Sequence, residues 1–202
     1  MATVGLKLVT LALKNSETGK ILTGEDGLSE NGLLPVTTQM WGTKTANITN
    51  IQEKGAIQYG NNVGVFVSTP KGAPQVALDF NKLPFEVTQK IVGRKQDPDT
   101  GSWIESGKHP SVAMLIESES IDRMNKVYYG FGNGTMTQAS INNGTDTNAE
   151  TMSTDNLTYQ ALSTPEFDRE ILAMYSDAST AFNEAKMMQQ VFAGYVDPAS
   201  KQ

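Results

Sequence analysis

Several short stretches of this chain carry residue types that could do chemistry. Gly130 to Gly134 reads GFGNG, which looks like a phosphate-binding glycine loop. Such a loop needs a helix N-terminus directly after the glycines. The next residues are TMTQAS, which read as strand, so a bulge or a close backbone approach is expected instead. DPDTG places Asp97 and Asp99 at alternate positions, as calcium loops do, but the twelfth position holds Lys108 rather than Glu. A tight hairpin turn is the better reading. ESES puts Glu117 and Glu119 on one face of a strand, either as a carboxylate pair for acid–base work or as a solvated strand end. Nothing nearby in sequence supplies a nucleophile or a histidine. The single histidine, His109, precedes Pro110 and reads as a turn or strand-edge residue.

One further stretch, ALDFNKLPFEVTQKIVG from Ala77 to Gly93, runs from strand alternation straight into a short helix. It is either the front half of a nucleotide site or the wedge that closes a β-sandwich. No glycine loop separates its strand from its helix, which favours the wedge. Asp79 or Asn81 is placed to cap the helix, Pro84 suits its first turn, and Gly93 suits a left-handed C-cap. Leu83, Val87 and Ile91, with Phe85, form an apolar stripe for packing. At about three turns the helix is too short to stand alone in water and must pack on its neighbours. By this reading Val87→Pro should prevent folding.

The bounds agree with a non-catalytic chain. Its 202 residues suffice for a single domain over 1–202. There is no cysteine, which excludes disulfides, iron–sulfur clusters, Cys-ligated zinc and Cys nucleophiles. No metal or cofactor is expected. The N-terminal MATVGLKLVTLALK lacks the charged and long apolar regions of a secretory leader, and no apolar run is long enough to cross a bilayer. The formal net charge is −6, the wrong sign for gripping DNA by its phosphates, but compatible with letting DNA pass.

Strand patterns dominate the remaining sequence. Leu6 to Lys14 leads through the turn NSETGK to Ile21 and Leu22, which reads as a hairpin. Gln75 to Phe80 puts Val76, Leu78 and Phe80 on one face. Ser111 to Glu119 is centred on the buried-type run VAMLI. Lys126 to Phe131 is strongly β by type, and Thr135 to Gln138 should continue it. In Asp155 to Leu162, Leu157, Tyr159 and Ala161 alternate with Asn156, Thr158 and Gln160. Residues 165–176 fit a helix capped by Thr164 or a strand using Ile171, Ala173 and Tyr175. Ala178 to Phe192 reads as a helix ended by Gly194, and 196–202 as a frayed tail. The expected fold is mainly β (α+β): two packed antiparallel sheets, a sandwich or partly open barrel, with a flanking helix.

In order along the chain, MATVGLK, GTKTANIT, YGNN, VALDFNKLPFEVTQKIVG, HPSVAMLIES, KVYYGFGNGTMT, NAETMSTDNLTYQAL and the final VFAGY resemble the major tail (tail tube) proteins of long, non-contractile-tailed bacteriophages. The likeness covers most of the chain. It implies a structural, non-enzymatic subunit that forms hexameric rings, stacked into a tube that double-stranded phage DNA traverses without specific binding. Implied partners are further copies of the chain, a tape measure protein and tail-end proteins, with no membrane. The implied location is the virion tail, after assembly in the host cytoplasm. By this likeness Leu83 to Val92 is the flanking helix, and a long polar arm over about 15–62 reaches a neighbouring subunit or ring. On their strand faces, Glu117, Glu119, Asp155, Thr135, Thr137 and Thr158 are candidates for the lumen wall. The alternatives are the inner-tube protein of a contractile tail or injection system, or a soluble β-sandwich module binding carbohydrate or peptide.

Overall fold

The computed structural model describes residues 3–146 and 150–196. The tail expected over 196–202 therefore lies outside the described residues from 197 onward, as do the ends of two quoted stretches, Met1–Ala2 and Asn148–Ala149. In chain order the elements are β1 (Thr3–Lys14), β2 (Leu34–Pro35), β3 (Thr43–Thr49), β4 (Ile57–Gly60), β5 (Val63–Val67) and β6 (Gln75–Phe80). Then come α1 (Phe85–Val92), β7 (Arg94–Gln96), β8 (Trp103–Glu105), β9 (Ser111–Ser120) and β10 (Lys126–Phe131). The chain finishes with β11 (Gly134–Thr137), β12 (Asp155–Ala161), β13 (Ala173–Ser176) and α2 (Glu184–Val191).

The strands form two main sheets, ordered β13-β10-β9-β1-β2 and β11-β12-β6-β3, and every pairing is antiparallel. Two ribbons, β4–β5 and β7–β8, stand outside them. The main core lies between the sheets. The period of two sends Val9, Leu11, Leu13, Val112, Met114 and Ile116 inward from one, and Val76, Leu78, Phe80, Leu157 and Tyr159 from the other. Two sheets flanked by helices match the expected mainly β sandwich.

Strand β11 corrects the sequence reading. The segment after Gly132 does resume as strand, but in the opposite sheet: β10 pairs with β9, whereas β11 pairs with β12. The chain turns a corner at Gly132–Asn133, as sandwich strands do where they switch sheets. The glycines permit close packing here. A Cβ on Gly130 would sit 2.6 Å from Val191 Cγ2, one on Gly132 2.8 Å from Thr164 Cγ2, and one on Gly134 2.3 Å from the Tyr159 ring. GFGNG is thus a packing seam.

Helix α1 plugs the sandwich with Ile91 and Val92, preceded by the buried Leu83, while Val87 packs at the core margin. Phe85, expected in the stripe, is 67 % exposed. The expected side-chain caps are also corrected. Pro84 occupies the N-cap. Asp79 pairs with Lys44 at 3.4 Å, and Asn81 Nδ2 donates to the Trp41 carbonyl at 2.8 Å. Gly93 closes the helix at φ 88, where a Cβ would lie 2.2 Å from Lys108 O.

The C-terminal region resolves into a mixture. Pro165–Phe167 is one 3-10 turn, and β13 follows as a strand beside β10. Asp168 and Arg169 adopt left-handed backbone, which ends any helix at that point. Helix α2 is shorter than the expected Ala178–Phe192. Ser176 Oγ and Ser179 Oγ accept the N–H groups of Ala178 and Ala181, so that segment turns instead. The helix begins where Asn183 Oδ1 accepts from Lys186 N at 2.9 Å.

Candidate assembly and channel surface

The outer faces of the two sheets differ in kind. On the five-stranded sheet, Ala12, Ala113, Leu115 and Tyr128 are covered by Phe167 and by Met187, Val191 and Phe192 of the α2 region. Tyr128 also stacks on Phe182, with ring centroids 5.6 Å apart. This face is a second hydrophobic core.

Among the described residues the outer rows of the four-stranded sheet have no apolar cover, and only Ala139, Ser140 and Asn142 of the loop after β11 lie beside Ala77, Asn156 and Thr158. Register aligns Thr135, Gln160, Gln75 and Thr49 across its strands, and next to them Thr137, Thr158, Ala77 and Asn47. These side chains are uncharged, and all but that of Ala77 are polar. Gln75 Nε2 donates to Gln160 Oε1 at 2.6 Å, which fixes one row. The neighbouring row of Asn156, Asp79 and Thr45 carries Asp79, whose charge is met by Lys44. This face is therefore polar but nearly neutral, and its described residues form no cluster of cations that would hold phosphate.

The two edges of this sheet are β3 and β11. An edge strand presents N–H and C=O groups that another chain can pair with. One molecule thus offers two different edges flanking one polar face. That arrangement suits head-to-tail contacts around a ring rather than a two-fold dimer.

The candidate lumen residues separate accordingly. Thr135, Thr137 and Thr158 come together on the polar face, with Thr137 directly opposite Thr158. Glu117 and Glu119 lie on β9 in the other sheet, with the parity of Ala113 and Leu115, on the far side of the sandwich. Each is ion-paired at 2.9 Å, Glu117 with Lys126 and Glu119 with Lys7. The hydrogen bond from Lys126 to Glu117 raises the lysine above its ordinary value. Asp155 has the inward parity of Leu157, and its Oδ2 accepts the Leu83 N–H at 2.9 Å, steadying the approach to α1. The sequence reading did not single out Asn47, Thr49 and Gln75 for this face. Their signal is the alternation in TKTANIT and QVALDF, where polar residues take every other place.

Other motifs settle as structure. Asp97 Oδ1 accepts the Asp99 N–H at 2.9 Å within the β7–β8 turn. Among the described residues, no group of His, Asp and Glu side chains is assembled to hold a metal ion. No described helix is long and apolar enough to cross a membrane.

No curated protein matches the chain significantly. The family model described as phage tail tube protein matches residues 1–200. The chain therefore belongs to the phage tail tube protein family and is a structural subunit of a bacteriophage tail.

Proposed function

We propose that this subunit closes into hexameric rings, that the rings stack into a tube, and that double-stranded DNA passes through its lumen. The outer face of the four-stranded sheet is the channel wall, with Thr135, Thr137, Thr158, Asn47, Thr49 and Gln75 toward the DNA. The observation that carries this reading is one polar, nearly neutral face, its Asp79 paired with Lys44, bracketed by the edge strands β3 and β11. Pairing β11 of one copy with β3 of the next satisfies the backbone groups that an edge would leave to water. A near-neutral wall gives phosphate no deep binding well, so DNA slides. Glu117, Glu119 and Asp155 fall outside that wall. In the virion the tube would enclose a tape measure protein and end on tail-end proteins, after assembly in the host cytoplasm.

Negative-stain imaging of concentrated protein tests the assembly, and rings or tubes are the expected result. A protein that stays monomeric in the presence of its tail-assembly partners would contradict it.

A further inference from the structure

Three asparagines of this chain stand directly before a glycine: Asn31-Gly32, Asn133-Gly134 and Asn143-Gly144. A glycine has no Cβ to shield its backbone nitrogen. That nitrogen can therefore reach the side-chain amide carbon of the asparagine before it, provided both groups are free to turn. The fold treats the three pairs very differently.

Two pairs are held. Asn31 Oδ1 accepts the Leu33 N–H at 3.1 Å, and the Gly32 N–H donates to Ser29 O at 3.0 Å. The Gly32 nitrogen is thus committed to another carbonyl. Asn133 is fixed at both ends of its amide, with Oδ1 accepting from Ser111 Oγ at 2.6 Å and Nδ2 donating to Ser163 O at 3.3 Å. Its carbonyl accepts the Leu162 N–H at 2.9 Å, and Gly134 stands in β11 opposite Ala161. Turning the Gly134 nitrogen toward the side chain would break these contacts. The third pair is loose. Asn143 and Gly144 are exposed and lie in a stretch without regular structure. Among the described residues, neither the Asn143 amide nor the Gly144 N–H has a hydrogen-bond partner. The bonds of this loop begin one residue later, where Thr151 Oγ1 donates to Thr145 O at 3.2 Å and Thr151 N to Asp146 Oδ1 at 2.8 Å.

We propose that Asn143 is a self-modification site of the folded protein, converting to aspartate and isoaspartate while Asn31 and Asn133 persist. Hydroxide takes the Gly144 N–H proton, and the nitrogen attacks the Asn143 amide carbon. A C–N bond forms, the bond to the side-chain nitrogen breaks, and ammonia leaves from a succinimide ring. Water then opens the ring at either carbonyl, which leaves a carboxylate on the side chain or in the main chain. Each event adds one negative charge to a chain of formal net charge −6. The charge appears next to Asn142, which lies beside Asn156 and Thr158, and so at the margin of the nearly neutral polar face. The reaction needs no assembly and no partner.

The test incubates the purified protein in mildly alkaline buffer, folded and in guanidinium chloride, and follows each Asn-Gly pair by peptide mass mapping with isoaspartyl methyltransferase labelling. In the folded protein Asn143 is expected to convert first, with Asn31 and Asn133 intact. In guanidinium chloride the rate advantage of Asn143 over the other two should collapse. Gly144→Ala should abolish conversion at Asn143 over the same period. Intact Asn143 in the folded protein would overturn the proposal, as would conversion no faster than at Asn31 or Asn133. A rate advantage that survives unfolding unchanged would also overturn it, because the fold would then have no part in the choice.

Discussion

The hydroxyl of Tyr159 donates to the carbonyl oxygen of Val112 across 3.0 Å, joining the two sheets through the middle of the core. Tyr159 is fully buried, and burial holds its phenol well above its ordinary value, so the donor keeps its proton. Tyr159→Phe should cost about 1–3 kcal/mol, because a buried polar contact is lost. Urea unfolding measures it, and an unchanged midpoint would deny the bond its structural role.

Helix α1 gives a second prediction, and it revises the sequence-based one. Val87 lies in the first turn of a helix that begins at Phe85, where proline is best tolerated. Lys90 lies deeper in the helix, so Lys90→Pro should cost about 3 kcal/mol or more, whereas Val87→Pro should cost less. Thermal unfolding of the two variants decides their order; Val87→Pro as the worse variant would contradict this account of the helix start.

Acid should loosen the corner where the sheets meet. Lys14 is buried there, with Nζ donating to Gly132 O at 2.8 Å and Glu166 Oε1 3.8 Å away. Burial pushes the Glu166 carboxyl up, but the Thr164 hydroxyl, a backbone N–H and Lys14 outweigh it and leave it below its ordinary 4.5. A carboxyl lowered by folding stabilises fully above its unfolded value. That contribution is lost as pH falls through the lowered folded value. Glu166→Gln should therefore flatten the acid limb of a stability-against-pH curve below 4.5. An unchanged limb would place the acid sensitivity elsewhere.

Charge placed on the two outer faces should act differently. Thr158→Lys adds a cation to the proposed wall in every copy, which should leave tubes intact and slow DNA ejection, most of all at low salt. Glu117→Lys changes the opposite side and should leave ejection unchanged. Ejection from assembled phage is the readout, and equal effects would remove the distinction between the faces.

Much of the fold was legible where local pattern and tertiary demand coincide. Val76, Leu78 and Phe80 announce an inward face by alternation, and Gly93 announces a helix end by its required backbone. The switch of sheets at Gly132–Asn133 was not legible, because β10 and β11 alternate alike and nothing local names the partner strand. The polar face proposed as the wall could not be told from the opposite face for the same reason. Thr135 and Glu117 both stand on strand faces, and only the distant α2, packing over Leu115 and Tyr128, decides which sheet keeps a bare side. Ala178–Phe192 misled because its helical spacing is real, while serine side chains take the backbone N–H groups of its first part.

An electron cryomicroscopy map of the assembled tube tests the central claim most directly. It should show Asn47, Thr49, Gln75, Thr135, Thr137 and Thr158 facing the lumen, with β11 of each copy paired to β3 of the next. A tube whose four-stranded sheets face outward, or whose β3 and β11 edges remain unpaired, would contradict the account.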